Sequence, residues 1–305
     1  MTMEASTYED QFGPAARLML RLSRPLRWLA KRTVGASCDI LVEIHWRLGD
    51  EVMAIPIYEA LRETYAPCRI TVLCNYPELL EGNPFVDKLN EVRRDSDRYV
   101  CLRSGPRLVF RLEHYARCAG VRTPSTRSQL YYSDWSTPLS ANIKEPFVAV
   151  CPGASWPTKQ WPIERWRSLC TALSDLGYDV VEVGAGDEQI GVGHSLVNKT
   201  TVRDAACVLK ASRLLICCDS GLMHLALAAG TRVLALFGPT DPDILIRNEP
   251  RLTSLLAERD CRGCWNREGG PEQPGTCPLN RSSCLDPITV EQVFGQARRI
   301  LETGA

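Results

Sequence analysis

From residue 147 to residue 237 the chain alternates without a break between runs that read as strands and runs that read as helices. The strands are "FVAVCPG", "DVVEVGAG", "RLLICCDSG" and "RVLALFGPT"; "PIERWRSLCTALSDLG", "VRDAACVLKAS" and "LMHLALAAG" lie between them. Residues 214 to 217 and 233 to 237 are apolar at successive positions. Both faces of those strands must therefore be covered, which calls for a parallel sheet with helices on either side.

The N-terminal half opens in the same way. "CDILVEIHW" from Cys38 alternates as a strand, "RLGD" is a tight turn, a helix is expected to start at Pro56 in "PIYEALRETY", and "RITVLC" is the next strand. That order is a βαβ unit. "NPFVDKLN" then reads as a loop, followed by a strand near 99 to 102 and a helix around 108 to 118. Residues 122 to 145, rich in Ser, Thr and Pro, read as a linker. A length of 305 residues suits two medium domains, because single cores stop growing near about 250 to 300 residues. The expected organisation is an N-terminal segment 1–37, an α/β domain 38–145, a second domain 146–288 with a Cys-rich loop 260–285, and a last helix within 289–305. Both domains should be doubly wound and Rossmann-like, with a cleft between them and ligands at the carboxyl ends of the strands.

Lys plus Arg and Asp plus Glu each number 36, and the apolar and charged fractions of 45% and 24% are ordinary for a globular protein. No global charge invites nucleic acid. Arginines interrupt the first apolar stretch every few positions, which excludes a signal-peptide core or a spanning helix there and points to the cytoplasm. Most of the 14 cysteines are then free, small buried hydrophobes. Residues 15–32, "AARLMLRLSRPLRWLAKR", place Met19, Leu22, Leu26 and Leu29 on one helical face and Arg17, Arg21, Arg24, Lys31 and Arg32 opposite. Two readings stand: a helix lying in a membrane interface, or one packed on its own domain with a solvated basic face.

Three loops directly follow strands and carry residues that a core would not choose. In "CDSGLMH" either Asp219 or Ser220 can cap the next helix, and Gly221 lets another backbone approach its first turn. Such a helix start suits a phosphate. A serine nucleophile would need its histidine from elsewhere in the fold, whereas His224 sits one turn from Ser220; His224 alone could also be a core histidine. "PGASWPTKQWP" adds Lys159 between two tryptophans, a point charge suited to phosphate, with a solvated surface lysine as the plain alternative. In "GAGDE", Glu188 falls just past a strand end, where a carboxylate can accept from ribose hydroxyls or equally begin a helix. Asp50 of "RLGD" is either a general base for a hydroxyl or a plain N-cap or turn aspartate. Finally, Cys261, Cys264, Cys277 and Cys284 lie in a segment poor in apolar residues. A structural site for zinc or iron would order it, with reduced thiols as the alternative.

Taken as an ordered set, "RLGDEVMAIPIYEALRETY", "NPFVD", "PGASWPTKQWPIERW", "VGAGDE", "CDSGLMHLALAAG" and "LFGPTDP" resemble glycosyltransferase family nine, the heptosyltransferases of bacterial lipopolysaccharide synthesis. The resemblance covers roughly residues 38 to 300 and implies a GT-B fold, with a metal-independent, inverting transfer from a nucleotide-activated sugar, ADP-heptose in the first instance. It implies Asp50 as the base, Lys159 on the donor phosphates, Ser220, Gly221 and His224 holding the diphosphate beside Asp219, and Glu188 on the ribose. The acceptor would be a lipopolysaccharide core or another lipid-linked hydroxyl, met at the inner face of the cytoplasmic membrane through residues 15–32. The cysteine segment also resembles the iron-holding finger of heptosyltransferases that modify autotransporter proteins, which would make the acceptor a protein. A non-catalytic nucleotide-sugar binding module is the alternative from another functional class.

Overall fold

The computed structural model describes residues 24–31, 35–91, 96–125, 127–136, 143–186, 189–280 and 282–303. The chain divides into two compact units at Ser133 and Asp134.

In the first unit β1 (Cys38–Ile44), β2 (Cys68–Cys74), β3 (Lys88–Leu89) and β4 (Arg98–Cys101) form a parallel sheet in the order β3-β2-β1-β4. Every residue of β1 is buried. The helix after β1, α2 (Leu48–Tyr65), starts earlier than expected and carries Pro56 inside it. Acidic Asp50 and Glu51 in its first turn suit the helix dipole, and burial of Val52, Ile55, Ile57 and Leu61 offsets the one bond that proline removes. α3 (Arg111–Ala119) packs against α2. Within the expected loop "NPFVDKLN" the pair Lys88 and Leu89 forms β3, recruited by the edge of β2 rather than by any pattern of its own.

The helix over residues 24–31, α1, packs on this unit by its basic face. The Arg24 guanidinium lies 5.0 Å from the Tyr99 ring centre, Arg27 donates to the Ser96 carbonyl at 3.2 Å, and Lys31 Nζ lies 2.7 Å from Asp97 Oδ2. Leu26 and Leu29 face outward, 70% and 53% exposed. The solvated basic face is thereby corrected: Asp39, Asp97 and Tyr99 offer better partners than water to the cations, and the leucines are displaced to the surface. Met19, Leu22, Arg17, Arg21 and Arg32 lie outside the described residues.

In the second unit β5 (Phe147–Cys151), β6 (Asp179–Glu182), β7 (His194–Ser195), β8 (Leu214–Cys218), β9 (Val233–Phe237) and β10 (Leu252–Leu256) form a parallel sheet ordered β10-β9-β8-β5-β6-β7. The chain winds outward one way from β5 to β7, then returns and winds the other way from β8 to β10. The switch point lies between β5 and β8, where doubly wound sheets bind ligands. β5, β8 and β9 are buried at every position, as their apolar runs require. α4 (Ile163–Asp175), α5 (Val202–Ala211), α6 (Gly221–Ala229) and α8 (Val290–Thr303) flank the sheet, with a short α7 (Pro242–Leu245) after β9. Trp166, Leu169, Leu173, Ile216, Leu234 and Leu301 belong to the core on one side.

The division precedes the expected boundary at 145 because the stretch read as a linker begins on the second unit. Lys210 Nζ stands 4.5 Å from the Trp135 ring centre, and Arg203 donates to the Asp134 carbonyl at 3.0 Å. Among the described residues no helix is long and apolar enough to cross a membrane.

Candidate functional site

The loops after β5, β8 and β9 converge at the switch point of the second sheet. Lys159, on a single 3-10 turn (Pro157–Lys159), reaches Asp219 at the end of β8, with Nζ 2.6 Å from Oδ2. Thr240, in the loop after β9, donates its hydroxyl to the same oxygen at 2.7 Å. Burial pushes the Asp219 carboxyl up, but Lys159, Thr240 and His224 outweigh burial and leave it below the ordinary range. The Trp156 ring lies under the lysine, 4.1 Å from Nζ to its centre.

Ser220 stands at the N-cap of α6, yet its side chain makes no cap bond; its Oγ lies 4.0 Å from Cys151 Sγ. The expected capping by Asp219 or Ser220 is therefore not how this helix begins. Asp219 is drawn away by the lysine and threonine, which bind it more strongly than a backbone N–H. The helix start thus keeps its positive end free of a cap from the Ser220 side chain. Lys159, Asp219, Ser220, Gly221 and His224 all belong to this one cluster, His224 being 6% exposed and close enough to act on the Asp219 charge.

Next to it, the loop after β6 is held from both ends. Asn198 accepts from the Gly186 N–H at 3.2 Å and donates to the Gly186 carbonyl at 2.7 Å, while buried Glu182 accepts from the Ile190 N–H. Glu188 lies between these anchors and outside the described residues.

Asp50 belongs to the first unit. It is a residue of the first turn of α2 rather than a cap, for the cap position is Arg47. Tyr115 of α3 donates its hydroxyl to Asp50 Oδ1 at 3.1 Å, and Arg111 Nε lies 3.7 Å from that oxygen. Neighbouring Glu51, 3% exposed, accepts from the N–H groups of Asn75 and Tyr76 at 2.9 and 3.0 Å, tying the β2 loop to the start of α2. Burial pushes its carboxyl up to about 7. Thr240, Tyr115, Arg111, Glu51 and Asn198 were not singled out by their sequence context. Thr240 and Glu51 carried a signal, in "LFGPTDP" and "RLGDEVMAIPIYEALRETY".

The four cysteines of the 261–284 segment are free thiols. Burial, then Cys277, Cys264 and Cys261, push the Cys284 thiol up to about 11. Thiolates are chemically suited to zinc or iron. Among the described residues, however, no three His, Cys, Asp or Glu side chains stand close enough together to hold an ion.

A parallel sheet with a cation, a buried carboxylate and a helix start at its switch point defines a Rossmann-type protein whose site is chemically suited to an anionic, phosphate-bearing ligand. The profile of "Glycosyltransferase family 9 (heptosyltransferase)" matches residues 110–271, more than half of the chain, and the protein belongs to that family. Lipopolysaccharide heptosyltransferase 2 of Escherichia coli K12 is 33% identical over 120 residues, 34% of this chain and 34% of the relative. The chain thus aligns with about a third of the length of such curated relatives. Among solved structures, the E. coli ADP-heptose LPS heptosyltransferase II superposes with a TM-score of 0.67 at 20% identity, covering 87% of this chain and 99% of the other. The iron-containing dodecameric glycosyltransferase TibC from enterotoxigenic E. coli H10407 gives 0.75 at 17%, covering 88% and 77%. TibC in complex with ADP-D-beta-D-heptose gives 0.73 at 18%, with the same coverage. The fold is accordingly the α/β GT-B class expected from the sequence.

Proposed function

We propose that the protein transfers a heptosyl group from ADP-heptose, with inversion, to a hydroxyl of a lipopolysaccharide core or another lipid-linked acceptor. The observation that carries this reading is the Lys159–Asp219–Thr240 cluster at the open start of α6. Asp219 fixes the lysine where a diphosphate would lie, so the cation is pre-placed rather than recruited. Ser220, Gly221 and His224 complete the diphosphate cradle, and Glu188 takes the ribose hydroxyls. In the transfer, the acceptor oxygen forms a bond to the anomeric carbon while the bond from that carbon to the β-phosphate oxygen breaks. The acceptor proton passes to Asp50, and the charge left on ADP is met by Lys159 and the α6 N–H groups. This route places no metal at the reacting atoms, so added magnesium or manganese should leave turnover unchanged. Support for the donor comes from the family and from the TibC complex with ADP-D-beta-D-heptose.

A calorimetric screen of ADP-, UDP-, GDP- and CMP-sugars tests it: binding of ADP-heptose alone is expected, and binding of none would sink the proposal. A non-catalytic binding module would bind the donor equally well but would keep its biological activity after Asp50→Ala.

A second reading, a protein acceptor, is favoured by the cysteine segment and the likeness to iron-containing TibC. In either case we assign Cys261, Cys264, Cys277 and Cys284 a structural zinc or iron, whose binding would draw the thiols together. We place the enzyme in the cytoplasm, at the inner membrane face, with contact made by Leu26 and Leu29 rather than by the arginines and lysine of α1. Such contact is hydrophobic and should survive high salt.

A further inference from the structure

The cysteine segment does more than lie beside the phosphate loops. Along the loop after β9, Gly263 donates its N–H to the Gly238 carbonyl at 2.9 Å, Trp265 to the Pro239 carbonyl at 2.8 Å, and Asn266 accepts from the Asp241 N–H at 2.9 Å. Along the loop after β5, Cys284 donates to the Thr158 carbonyl at 2.9 Å and Ser283 to the Gln160 carbonyl at 2.6 Å. One segment is therefore bonded to both loops that carry the ligands of Asp219, namely Lys159 and Thr240. Its seat requires small residues. A Cβ on Gly238 would stand 2.7 Å from the Cys284 Cβ, and Gly275, at φ +79°, brings its backbone against the Trp156 ring.

The link to the cation is aromatic. Trp265 meets Trp156 edge to face, ring centres 4.9 Å apart at 71°, and Trp156 also meets Lys159 Nζ, 4.1 Å from the ring centre. Such a pair fixes a ring at low entropic cost because each indole has only two side-chain torsions to lose. Trp156 cannot turn away from the lysine without breaking the stack, and Trp265 is itself tied through its backbone to Pro239.

We propose that the 261–284 segment is a clamp that aligns the two donor loops, and that Trp265 is a positioning residue which sets Lys159 through Trp156. This rests on the reading of Lys159 as a donor-phosphate ligand. It goes beyond a metal site because the clamp acts through backbone bonds and indole rings, and it assigns to the finger a part in donor affinity.

The test is a double-mutant cycle read by calorimetric titration of ADP against the full chain, with Lys159→Met, Trp265→Leu and their combination. Trp265→Leu should weaken ADP binding about tenfold, Trp265→Phe should restore most of it, and the double variant should bind no more weakly than Lys159→Met alone. If Trp265→Leu leaves ADP affinity unchanged, or costs its full factor again in the Lys159→Met background, the clamp is not acting through the lysine and the inference falls. If Lys159→Met itself leaves ADP affinity unchanged, the donor-site reading falls instead. Should Trp265→Leu be too unstable to titrate, Trp265→Tyr takes its place, with a smaller loss that must again vanish in the Lys159→Met background.

Discussion

Asp50 carries the proton transfer in the proposed reaction, and its surroundings define what each neighbour contributes. Asp50→Asn should lower kcat by about a hundredfold or more while leaving the ADP dissociation constant unchanged, because in that reaction the residue would meet the acceptor and not the donor. Tyr115→Phe removes one hydrogen bond to Oδ1 and should lower kcat roughly tenfold by loosening the carboxylate, again with unchanged ADP binding. Glu51 gives a prediction about pH. Its ordinary value of 4.5 is raised to about 7 by burial, so the folded chain holds a proton that the unfolded chain releases. Stability is then full below that ordinary value and falls as pH rises toward 7, by roughly 3 kcal/mol across the window. Glu51→Gln should flatten the decline in Tm between about pH 5 and pH 8; a slope equal to the parent's would refute the assignment. That Lys159, Asp219 and Ser220 come together could be read from the sequence because each stands in a loop that follows an apolar strand. Tyr115 and Arg111 could not, since their role exists only once α3 lies against α2, and nothing local in "RLEHYARCA" marks them.

At the scale of elements, periodicity located the strands that are buried on both faces and left the short edge strands unseen. β3 and β7 have two residues each, too few for any alternation to register; they are strands because a neighbouring edge offers bonds. The start of α2 was missed for a different reason. A proline favours the first helical turn on average, and here tertiary burial let it sit deeper. α1 shows that an amphipathic pattern identifies two faces without saying which one the fold keeps. Replacing Leu26 and Leu29 together by Glu should abolish binding to anionic liposomes while leaving Tm nearly unchanged, because both side chains are exposed and neither supports the core. Undiminished liposome binding would remove the membrane contact. In the loop after β6, Asn198→Ala should weaken ADP binding and leave kcat at saturating donor unaltered, measured as a rise in KM alone.

For the whole molecule, the winding order of the second sheet was legible in outline, since alternating strand and helix patterns leave few parallel arrangements. The point where the winding reverses was legible only through the loops that carry charge. The place of division between the units was not, because residues 134 and 135 owe their allegiance to contacts with Arg203 and Lys210 on α5. The metal assignment is a statement about composition. Elemental analysis of the purified protein should find about one zinc or iron per chain, lost when Cys261, Cys264, Cys277 and Cys284 are replaced by serine; parent protein without metal would return the segment to reduced thiols. The distribution of the cysteines makes this measurable in a second way. Those on β5 and β8 are sealed in the sheet, with burial pushing Cys151 up to about 11 and Cys217 well above the ordinary thiol range, while Cys101, Cys118, Cys261, Cys264 and Cys277 keep some exposure. A maleimide applied to the native protein therefore meets a short list of thiols, most of them in the clamp. The number of labels taken up, compared with the number after unfolding, reports whether that segment is open or closed without disturbing the sheet beneath it.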